Sequence, residues 1–411
     1  MGSSPELVEG AAALRRRGGS TRRGRAWVSR VAGSARSSLR RQFPNYTGYE
    51  GSSGTAWFFG FEQRAPSMAA FFSGDDVHPV SHGRISRRRV PGRALDVAAA
   101  GGLATFRVDR PDRPFDEVLH QAVPVPPLVD IHVDLPADAD TLRAQLLTST
   151  TREDFRRIRR ANFSYRVVTD PDLVREFHSR HYAPLVAQQF PEDGRVQSVR
   201  EMLHSLDQGG ELICADIEGE WVAGIFNHNL ASHYALMSLG IRDADNSVRQ
   251  KRVVAALMIK SLERAVELER DRATLGRSLP FLGKGPVWFK SKWSGIITRA
   301  PDTRDLQMVM DLRHSSVRRM LAASPIIHVD NGALAASVWL DSGEKPLEVV
   351  QRDSGRFPGI SRWYVLAEPE TLAASASRLE DGDRVAPIPI GPAGDRPIWL
   401  GEVLRGSPSR V

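Results

Sequence analysis

Apolar and polar residues alternate most regularly between residues 211 and 241, and this pattern predicts β-strands. Three apolar stretches are separated there by the short turns Glu218-Gly219-Glu220 and Ala231-Ser232. Stretches of this length joined by short turns are typical of a three-stranded antiparallel meander. Gly224 lies in the middle of the second stretch and indicates a bulge or a close backbone approach.

A helical period follows the meander. Apolar residues recur on one stripe from residue 248 to residue 268, and residues 272–275 then indicate a short strand. Upstream of the meander the same criteria predict three strands, at 56–62, 103–108 and 129–135, and two helices, at 138–147 and 170–187. Residues 152–161 are interpreted as a basic amphipathic turn.

The pattern is weaker beyond residue 299. It predicts helices at 317–321 and 368–377 and strands at 333–340 and 363–366. We therefore expect an appended C-terminal region at 301–411 whose fold the pattern does not define.

Composition narrows the class of protein. The 411 residues are 41% hydrophobic and 26% charged, which is typical of a globular chain with two or three domains. The chain contains no run of 18 apolar residues, so we predict no integral membrane segment. It has no apolar segment near residue 1, so we predict no secretory signal. A single cysteine, Cys214, excludes an intrachain disulfide and a cysteine-based zinc cluster. We expect a cytoplasmic protein whose oligomeric state the sequence does not define.

The net charge of +7 belongs to one end of the chain. Residues 1–47 hold ten Arg, no Lys and two Glu, a balance of +8, and the remainder carries −1. We predict a disordered, solvated Arg-rich tail there. The functional alternative is electrostatic attachment to RNA, DNA or an anionic membrane surface.

Candidate chemistry is concentrated between residues 271 and 295. A Gly276-Arg277-Ser278 turn is followed by a glycine-broken loop and then by the run Phe289-Lys290-Ser291-Lys292-Trp293. This places backbone donors, a serine hydroxyl and two lysines close together, which suits a site for a negatively charged or charge-developing oxygen. If the run is a strand, Lys290 and Lys292 face the same side.

These elements, in this order from about residue 125 to residue 300, resemble the Fem family and the related CelD-like (BcsL-like) acetyltransferases, a branch of the GNAT superfamily. The pattern of that branch is Gly-Arg-Ser, a variable loop and Phe-Lys-x-x-Trp-Gly. It is matched here by residues 276–278 and by Phe289, Lys290, Trp293 and Gly295, with Ser294 inserted. The resemblance implies an α+β, tandem GNAT-like (acyl-CoA N-acyltransferase) fold, with mixed β-sheets flanked by helices.

The resemblance also implies a division of the chain into four parts. Residues 1–47 would be the disordered Arg-rich tail, and 48–165 the N-terminal GNAT-like half. Residues 166–300 would be the C-terminal GNAT-like acyltransferase half, and 301–411 the appended region. The acceptor would bind between the two halves.

Members of this superfamily transfer an acyl group directly to an amine. The resemblance implies acyl-CoA or aminoacyl-tRNA as co-substrate, with no tightly bound cofactor. The implied acceptor is an amine on a small molecule, a peptide or a cell-wall or polysaccharide precursor, and tRNA is a further partner.

The same resemblance assigns catalytic roles near the end of the motif. Lys290 would stabilise the oxyanion, and Arg277 and Ser278 would orient donor or acceptor. The structural alternatives are a surface salt bridge for Lys290, a carboxylate partner for Arg277 and a turn cap for Ser278.

The donor phosphates would lie at the start of the helix after the meander, because helix N-termini attract anions. Acetyl-CoA-dependent relatives have a glycine-containing turn there, whereas this chain has none and offers Arg249, Lys251 and Arg252 instead. These cations could bind the donor, contact an RNA acceptor stem or stay hydrated. Phe289 is the fourth residue that we assign to the donor site.

Acceptor binding is assigned to five residues on three segments. Arg156, Arg159 and Arg160 form a basic face that could bind phosphate or carboxylate, and the alternative is the solvated basic face of an amphipathic turn. Tyr182 would line the cleft or belong to the core, and Trp293 fits the core better than a stacking platform.

Other chemistries lack the residues they need. His178 and His181 lie three apart without a third ligand nearby, so no metal site is predicted. No Ser-His-Asp order, Walker-type loop or HExxH motif is present. The general base cannot be identified, although His228 and His233 lie in the meander. The alternative to an enzyme is a catalytically inert GNAT-like binding module that docks on nucleic acid or another polyanion through its Arg-rich tail.

Overall fold

The computed structural model describes residues 44–60, 65–73, 76–108, 113–189, 196–283, 285–341, 356–375, 384–392 and 394–406. Most of the predicted Arg-rich tail, residues 1–47, lies outside this part of the chain. In the described part, no helix combines the length and the apolar character needed to cross a bilayer.

The described strands fall into three sheets. In chain order they are β1 Asn45–Gly51, β2 Gly54–Phe59, β3 His78–Arg84, β4 Leu103–Arg107, β5 Val123–Val125, β6 Val129–Asp134, β7 Ser164–Val168, β8 Gly210–Ile217, β9 Glu220–Asn229, β10 Tyr234–Ile241, β11 Arg272–Ser278, β12 Ile296–Arg299, β13 Leu306–Val309, β14 Ile326–Asp330, β15 Ala333–Trp339, β16 Arg362–Ala367 and β17 Val385–Pro389.

The described α-helices flank these sheets. They are α1 Ala65–Ser73, α2 Val90–Ala99, α3 Arg113–Leu119, α4 Ala139–Leu146, α5 Arg152–Ala161, α6 Pro171–Glu176, α7 Ala183–Gln189, α8 Val199–Asp207, α9 Asn246–Gln250, α10 Val253–Glu267, α11 Pro286–Ser291, α12 Ser315–Ala323, α13 Pro369–Ser375 and α14 Leu400–Gly406.

The first sheet has the order β3-β1-β2-β4-β13-β5. β2 and β4 are parallel, and β13 pairs antiparallel with β4 on one side and β5 on the other. A strand from beyond residue 300 therefore closes a sheet that otherwise consists of strands from the first 125 residues. Helices α2 and α3 cover the outer face of this sheet around the buried Phe106 and Phe115.

The second sheet has the order β12-β6-β11-β10-β9-β8-β7 and contains the predicted meander. β8, β9 and β10 are antiparallel neighbours, as the alternating pattern predicts. The next strand, β11, is parallel to β10, and helix α10 makes the connection between them. This order of meander, helix and parallel strand confirms the predicted core of the second half.

The third sheet, β14-β15-β16-β17, lies between the other two. Along β16 the side chains alternate: Trp363 and Val365 join the core of the second sheet, and Tyr364 and Leu366 join the core of the first. A sheet buried on both faces needs nearly continuous apolar strands. The C-terminal region, expected as an appended unit, therefore forms the central layer, and the division of the chain into two halves stays a prediction.

The helix predicted at 248–268 is two helices in the structure. α9 ends at Gln250 and α10 begins at Val253, because Arg252 between them adopts a left-handed conformation with φ of 69°. The three predicted donor-site cations therefore lie on the short first helix and at the break.

Two further local predictions differ from the structure. Gly276-Arg277-Ser278 is the last part of strand β11 and not a turn after it. The segment with Phe289 and Lys290 is the helix α11, which starts with Pro286 directly after Gly285. Proline is favoured in the first turn of a helix, so Gly285-Pro286 favours a helix here and not the strand considered from the sequence.

The long helix predicted at 170–187 is interrupted by a π-helical turn at Phe177–Tyr182, between α6 and α7. This turn packs on β10 at Gly240, where an added Cβ would lie 2.6 Å from the carbonyl carbon of His181. Only glycine allows this close approach, which fixes the π-helical turn against the meander.

Candidate active site

The parallel strands β10 and β11 separate soon after they meet. Their pairing covers only Tyr234 with Ala273 and Ala235 with Thr274. Beyond this point β10 continues as a partner of β9, and β11 continues as a partner of β6. The result is a wedge-shaped opening in the middle of the second sheet, bounded by residues 237–241 and 275–278, where each strand has one edge without its parallel partner.

The closed end of this wedge is fixed by a buried polar group. The Tyr234 hydroxyl donates to Glu211 Oε1 at 2.6 Å, and Arg264 donates to both oxygens of the same carboxylate. Burial and the Glu211 carboxylate raise the pKa of Tyr234. The phenol therefore stays protonated and serves as a hydrogen-bond donor, which is a structural role.

Lys290 lies at the β11 side of the wedge. Its ammonium donates to the carbonyl oxygens of Gly276 at 3.0 Å and Arg277 at 3.2 Å, and to Ser278 Oγ at 3.1 Å. Gly276 has φ of 75°, in a region that favours glycine, and lies in the bulge where β11 bends between its two partners. The three predicted catalytic residues are therefore neighbours, with Ser278 buried and Lys290 half-buried.

Arg277 points away from this contact and joins two carboxylates. Its Nε lies 3.1 Å from Asp130 Oδ1 on β6, and its Nη2 lies 2.5 Å from Asp302 Oδ1. The hydrogen bond from Arg277 lowers the pKa of Asp302, and that bond in turn raises the pKa of Arg277. The guanidinium thus holds the loop after β12 to β6.

A second ionic group lies on the other side of α11. The Asp154 carboxylate, on α5, contacts the Lys292 ammonium and also Arg252 Nε at 3.1 Å. The Lys292 ammonium lies 5.1–5.8 Å from the ring centroids of Trp288, Phe289 and Trp293. Lys292 therefore does not share a contact side with Lys290, as a strand would require, because the helical turn rotates the two side chains apart.

This ionic group changes the interpretation of Arg252. The Arg252 guanidinium, which we assigned to donor phosphates, is paired with Asp154, whereas Arg249 on α9 and Lys251 directly after it form no salt bridge with another described residue. The N-terminus of α9 is capped by Asp245, whose side chain accepts from Ser247 N. The N-terminus of α10 has no side-chain cap, so its first amide groups can donate hydrogen bonds to an anion.

The predicted acceptor residues fall into different environments. Arg156 pairs with Glu153 within α5, and hydrogen bonds from Arg156 and Arg157 lower the pKa of Glu153 to about 2. Arg159 and Arg160 are exposed on the same helix.

Two aromatic candidates are buried. The Tyr182 hydroxyl accepts from Gln197 N at 3.1 Å, at the end of the π-helical turn. Trp293 is fully buried and packs edge-on to Phe155 and Phe289.

The histidines near the meander are bound to other groups. His228 Nε2 lies 2.9 Å from the Gln208 carbonyl, and His233 contacts Ser232. Burial lowers the pKa of His233, which favours its neutral form. Across the described residues, no three His, Cys, Asp or Glu side chains come together in a way that could hold a metal ion.

Asp154 is the residue of this region that the sequence interpretation missed. It lies in a helix dominated by arginines and was overlooked as one of its surface charges. Its position, four residues before Ile158, puts it on the partly buried side of α5. A carboxylate on that side was the available signal for a buried ionic contact.

Comparison with known proteins shows what this region is similar to. Residues 148–284 match the family model described as an acetyltransferase (GNAT) domain. The match includes the meander, α10 and β11, and it ends before Lys290. No curated protein sequence matches the chain significantly.

Solved structures give a looser likeness. FemX matches with a TM-score of 0.35 and 9% identity over 62% of this chain and 81% of its own. L-PGS from Bacillus licheniformis matches with a TM-score of 0.31 and 14% identity, over 60% of this chain and 87% of its own. A GCN5-related N-acetyltransferase from Sphaerobacter thermophilus matches with a TM-score of 0.30 and 10% identity, over 62% of this chain and 72% of its own. The likeness to the acetyltransferase (GNAT) family model is thus confined to residues 148–284.

Proposed function

We propose that this protein is an N-acyltransferase that moves an acyl group from a thioester or ester donor to an amine by direct attack. The observation that carries the proposal is the wedge between β10 and β11, within the GNAT domain. Its two strand edges offer backbone groups to an extended donor arm, as one more strand would. The donor would be an acyl-CoA or an aminoacyl-tRNA.

The donor phosphates would lie at the uncapped N-terminus of α10. The helix has fifteen residues, and its first amide groups and dipole favour an anion there. Arg249 and Lys251, both exposed and close in the chain, would add charge. Arg252 would act indirectly, because its pairing with Asp154 fixes the left-handed residue that starts the helix.

Lys290 and Ser278 would act together on the acyl oxygen. Ser278 Oγ accepts from Lys290, so its own proton is available to another acceptor. A hydroxyl polarised by an ammonium can donate to the oxygen as negative charge develops on it, and a partly buried cation strengthens that effect. The amine nitrogen would bond to the carbonyl carbon, the bond to sulfur or oxygen of the donor would break, and the amine proton would leave with the released group.

The acceptor would be an amine on a small molecule, a peptide or a cell-wall or polysaccharide precursor, bound in the cytoplasm between the two halves of the chain. Arg159 and Arg160 would attract an anionic acceptor, since both are exposed and belong to the basic face of α5. No cofactor would be held tightly, because the donor is consumed in each turnover.

Hydrogen–deuterium exchange tests the donor site directly. Acetyl-CoA or aminoacyl-tRNA should protect amides in peptides covering residues 237–241 and 275–278, where the strand edges are open. Peptides of β8, which is paired on both sides, serve as the internal control. The proposal fails if neither donor changes exchange in the wedge.

Turnover variants then test the chemistry. With a donor that protects the wedge, Lys290→Met and Ser278→Ala should each lower the transfer rate by about 100-fold, the usual effect of removing one oxyanion donor. Ser291→Ala is the matched control, because this buried serine neighbours Lys290 in α11 and its hydroxyl has no partner within the described residues. Donor binding without any transfer would favour the inert binding module.

A further inference from the structure

Beside helix α2, the outer face of the first sheet carries an aromatic platform in which Tyr46 and Trp57 are half-buried and Phe59 is buried. Tyr46, Trp57 and Phe59 lie on the same face, because Tyr46 pairs with Phe59 and Gly48 pairs with Trp57. Trp57 lies flat across β1, where a Cβ at Gly48 would come within 2.9 Å of the indole. The ring centroids of Tyr46 and Trp57 are 5.9 Å apart and their planes differ by 23°.

Four arginines surround this platform. Arg88, Arg89 and Arg93 come from the turn before α2 and from its first half, and Arg84 comes from the end of β3. All four are exposed, and none of them forms a salt bridge with another described residue. The Arg93 guanidinium lies 5.2 Å from the centre of the Trp57 ring.

These groups line a cavity of about 580 Å³. Helix α2 contributes Gly92, at which an added Cβ would have no atom within 4 Å. Asp96 is the single acid among the described residues of the lining, so the pocket keeps a clear positive charge. Its volume falls within the usual range of pockets for small ligands.

We propose that this pocket binds a nucleotide. The phenol ring of Tyr46 and the Arg93 guanidinium, which itself lies over the Trp57 indole, provide planar surfaces on which a base stacks. Exposed arginines without carboxylate partners are well suited to phosphate, which they bind through paired hydrogen bonds. A ligand with one planar ring and one or two phosphates matches both the aromatic platform and the arginines. Either a free nucleotide or the end of a single-stranded RNA supplies this chemistry.

The pocket is separate from the wedge. It opens on the outer face of the first sheet, whereas the third sheet packs on the opposite face and the wedge belongs to the second sheet. Nucleotide binding here is therefore measured without any transfer reaction, and its outcome is independent of the proposed activity.

Calorimetric titration of the full chain at moderate salt tests the proposal, with ADP, adenosine, pyrophosphate and a ten-nucleotide single-stranded RNA as probes. We expect ADP to bind at least tenfold more tightly than adenosine or pyrophosphate, because only ADP uses both the platform and the arginines. Equal affinity for ADP and pyrophosphate would overturn the proposal, since it would indicate charge attraction alone. RNA tighter than ADP would support the pocket with an RNA end as its source, provided that the pocket variants weaken both probes.

Two pairs of variants locate the binding. Gly92→Phe should fill the cavity and weaken ADP at least tenfold, whereas Gly92→Ala should leave the affinity within twofold and keep the helix intact. Arg88→Gln with Arg89→Gln should cause a similar loss, against Arg200→Gln with Arg319→Gln as control arginines, which are exposed on α8 and α12. The residue 1–47 tail is the same in every variant. Unchanged ADP affinity in both pocket variants would refute the assignment.

Discussion

Single charged residues near the wedge differ in how much of the structure depends on them. The structure depends most on Asp154, because its side chain is 5% exposed and the Lys292 side chain that it contacts is 8% exposed. Two cations thus rely on one buried carboxylate. Asp302 is the contrasting case, since its side chain is 64% exposed although it contacts Arg277.

Asp154→Asn should destabilise the protein by about 3 kcal/mol, because it leaves a buried ammonium without its counter-charge. Asp302→Asn should cost less than about 1 kcal/mol, as exposed ion pairs generally do. Urea unfolding at neutral pH measures both. The double variant Asp154→Asn with Lys292→Met should recover part of the loss, and equal stability of the two single variants would contradict this account.

At the scale of the element, two hairpins have the same type of two-residue loop but different residues at its first position. Glu218-Gly219 joins β8 to β9, and Asn331-Gly332 joins β14 to β15, each as a two-residue loop with both φ angles positive. Asn tolerates a positive φ better than Glu does, and Asn-Gly is the preferred pair for such turns. The first hairpin therefore carries local strain that the second avoids.

Glu218→Asn should stabilise the protein by about 0.5–1 kcal/mol through relief of this strain. The reverse change at the other hairpin, Asn331→Glu, should destabilise it by a similar amount. Thermal unfolding of the two variants beside the unaltered protein measures the effect. A loss of stability in Glu218→Asn would show that the glutamate side chain has a contact of its own.

The π-helical turn is a second element with a measurable consequence. His181 is 1% exposed and stacks on Trp221 with 4.2 Å between ring centroids. Burial lowers its pKa to about 4, whereas an unfolded histidine titrates near 6.5. The folded state therefore holds the neutral ring at pH values where the unfolded chain takes up a proton.

Stability from His181 is complete above a pH of about 6.5, falls as the pH drops towards 4 and is constant below that value. The loss should be on the order of 3 kcal/mol. His181→Phe keeps an aromatic ring but removes the titrating group, so its stability should fall less over this interval. Urea midpoints at several pH values compare the two proteins, and parallel profiles would exclude the histidine as the cause.

At the scale of the whole molecule, the third sheet joins the other two into one body. Backbone hydrogen bonds tie the start of β14 to the loop after β11, with Leu282 N donating to Pro325 O and Ile327 N to Pro280 O. One face of the third sheet packs on the first sheet, and β13 from the same part of the chain lies within that sheet. The region after residue 300 therefore contributes to the cores of both the first and the second sheet.

A fragment that ends at residue 300 should fail to fold cooperatively, because it lacks β13 and the central layer. Circular dichroism in the near ultraviolet should show no ordered aromatic side chains, and co-expression with residues 301–411 should restore a soluble complex. A fragment with a sharp unfolding transition of its own would instead support the predicted boundary at 300.

Local patterns in the sequence predicted the elements whose partners are near in the chain. The meander, the helix at 170–187 and the strand at 129–135 follow from periods of two and 3.6. The break at Arg252 could not be predicted, since neither glycine nor proline marks it and the ion pair with Asp154 stabilises it. The position of β13 depends on pairing with strands about 180 to 200 residues earlier, which no local pattern contains.

The candidate site was predictable as a cluster but not in its contacts. Lys290, Ser278 and Gly276 lie together, as the spacing of the motif suggested. Arg277 and Lys292 instead have carboxylate partners from β6 and α5, which are distant in sequence. Charge type can be read from the chain, whereas the identity of the counter-charge depends on tertiary packing.

The insertion of β13 between β4 and β5 has a consequence for biosynthesis. The ribosome releases Leu306 roughly 200 residues after Leu103, which at ordinary elongation rates takes about 10–40 s. During that interval the edges of β4 and β5 that later pair with β13 have no partner. Their backbone groups can then form hydrogen bonds with strands of other chains. A chaperone that shields nascent chains should therefore raise the yield of this protein most when translation is slowed between these two points.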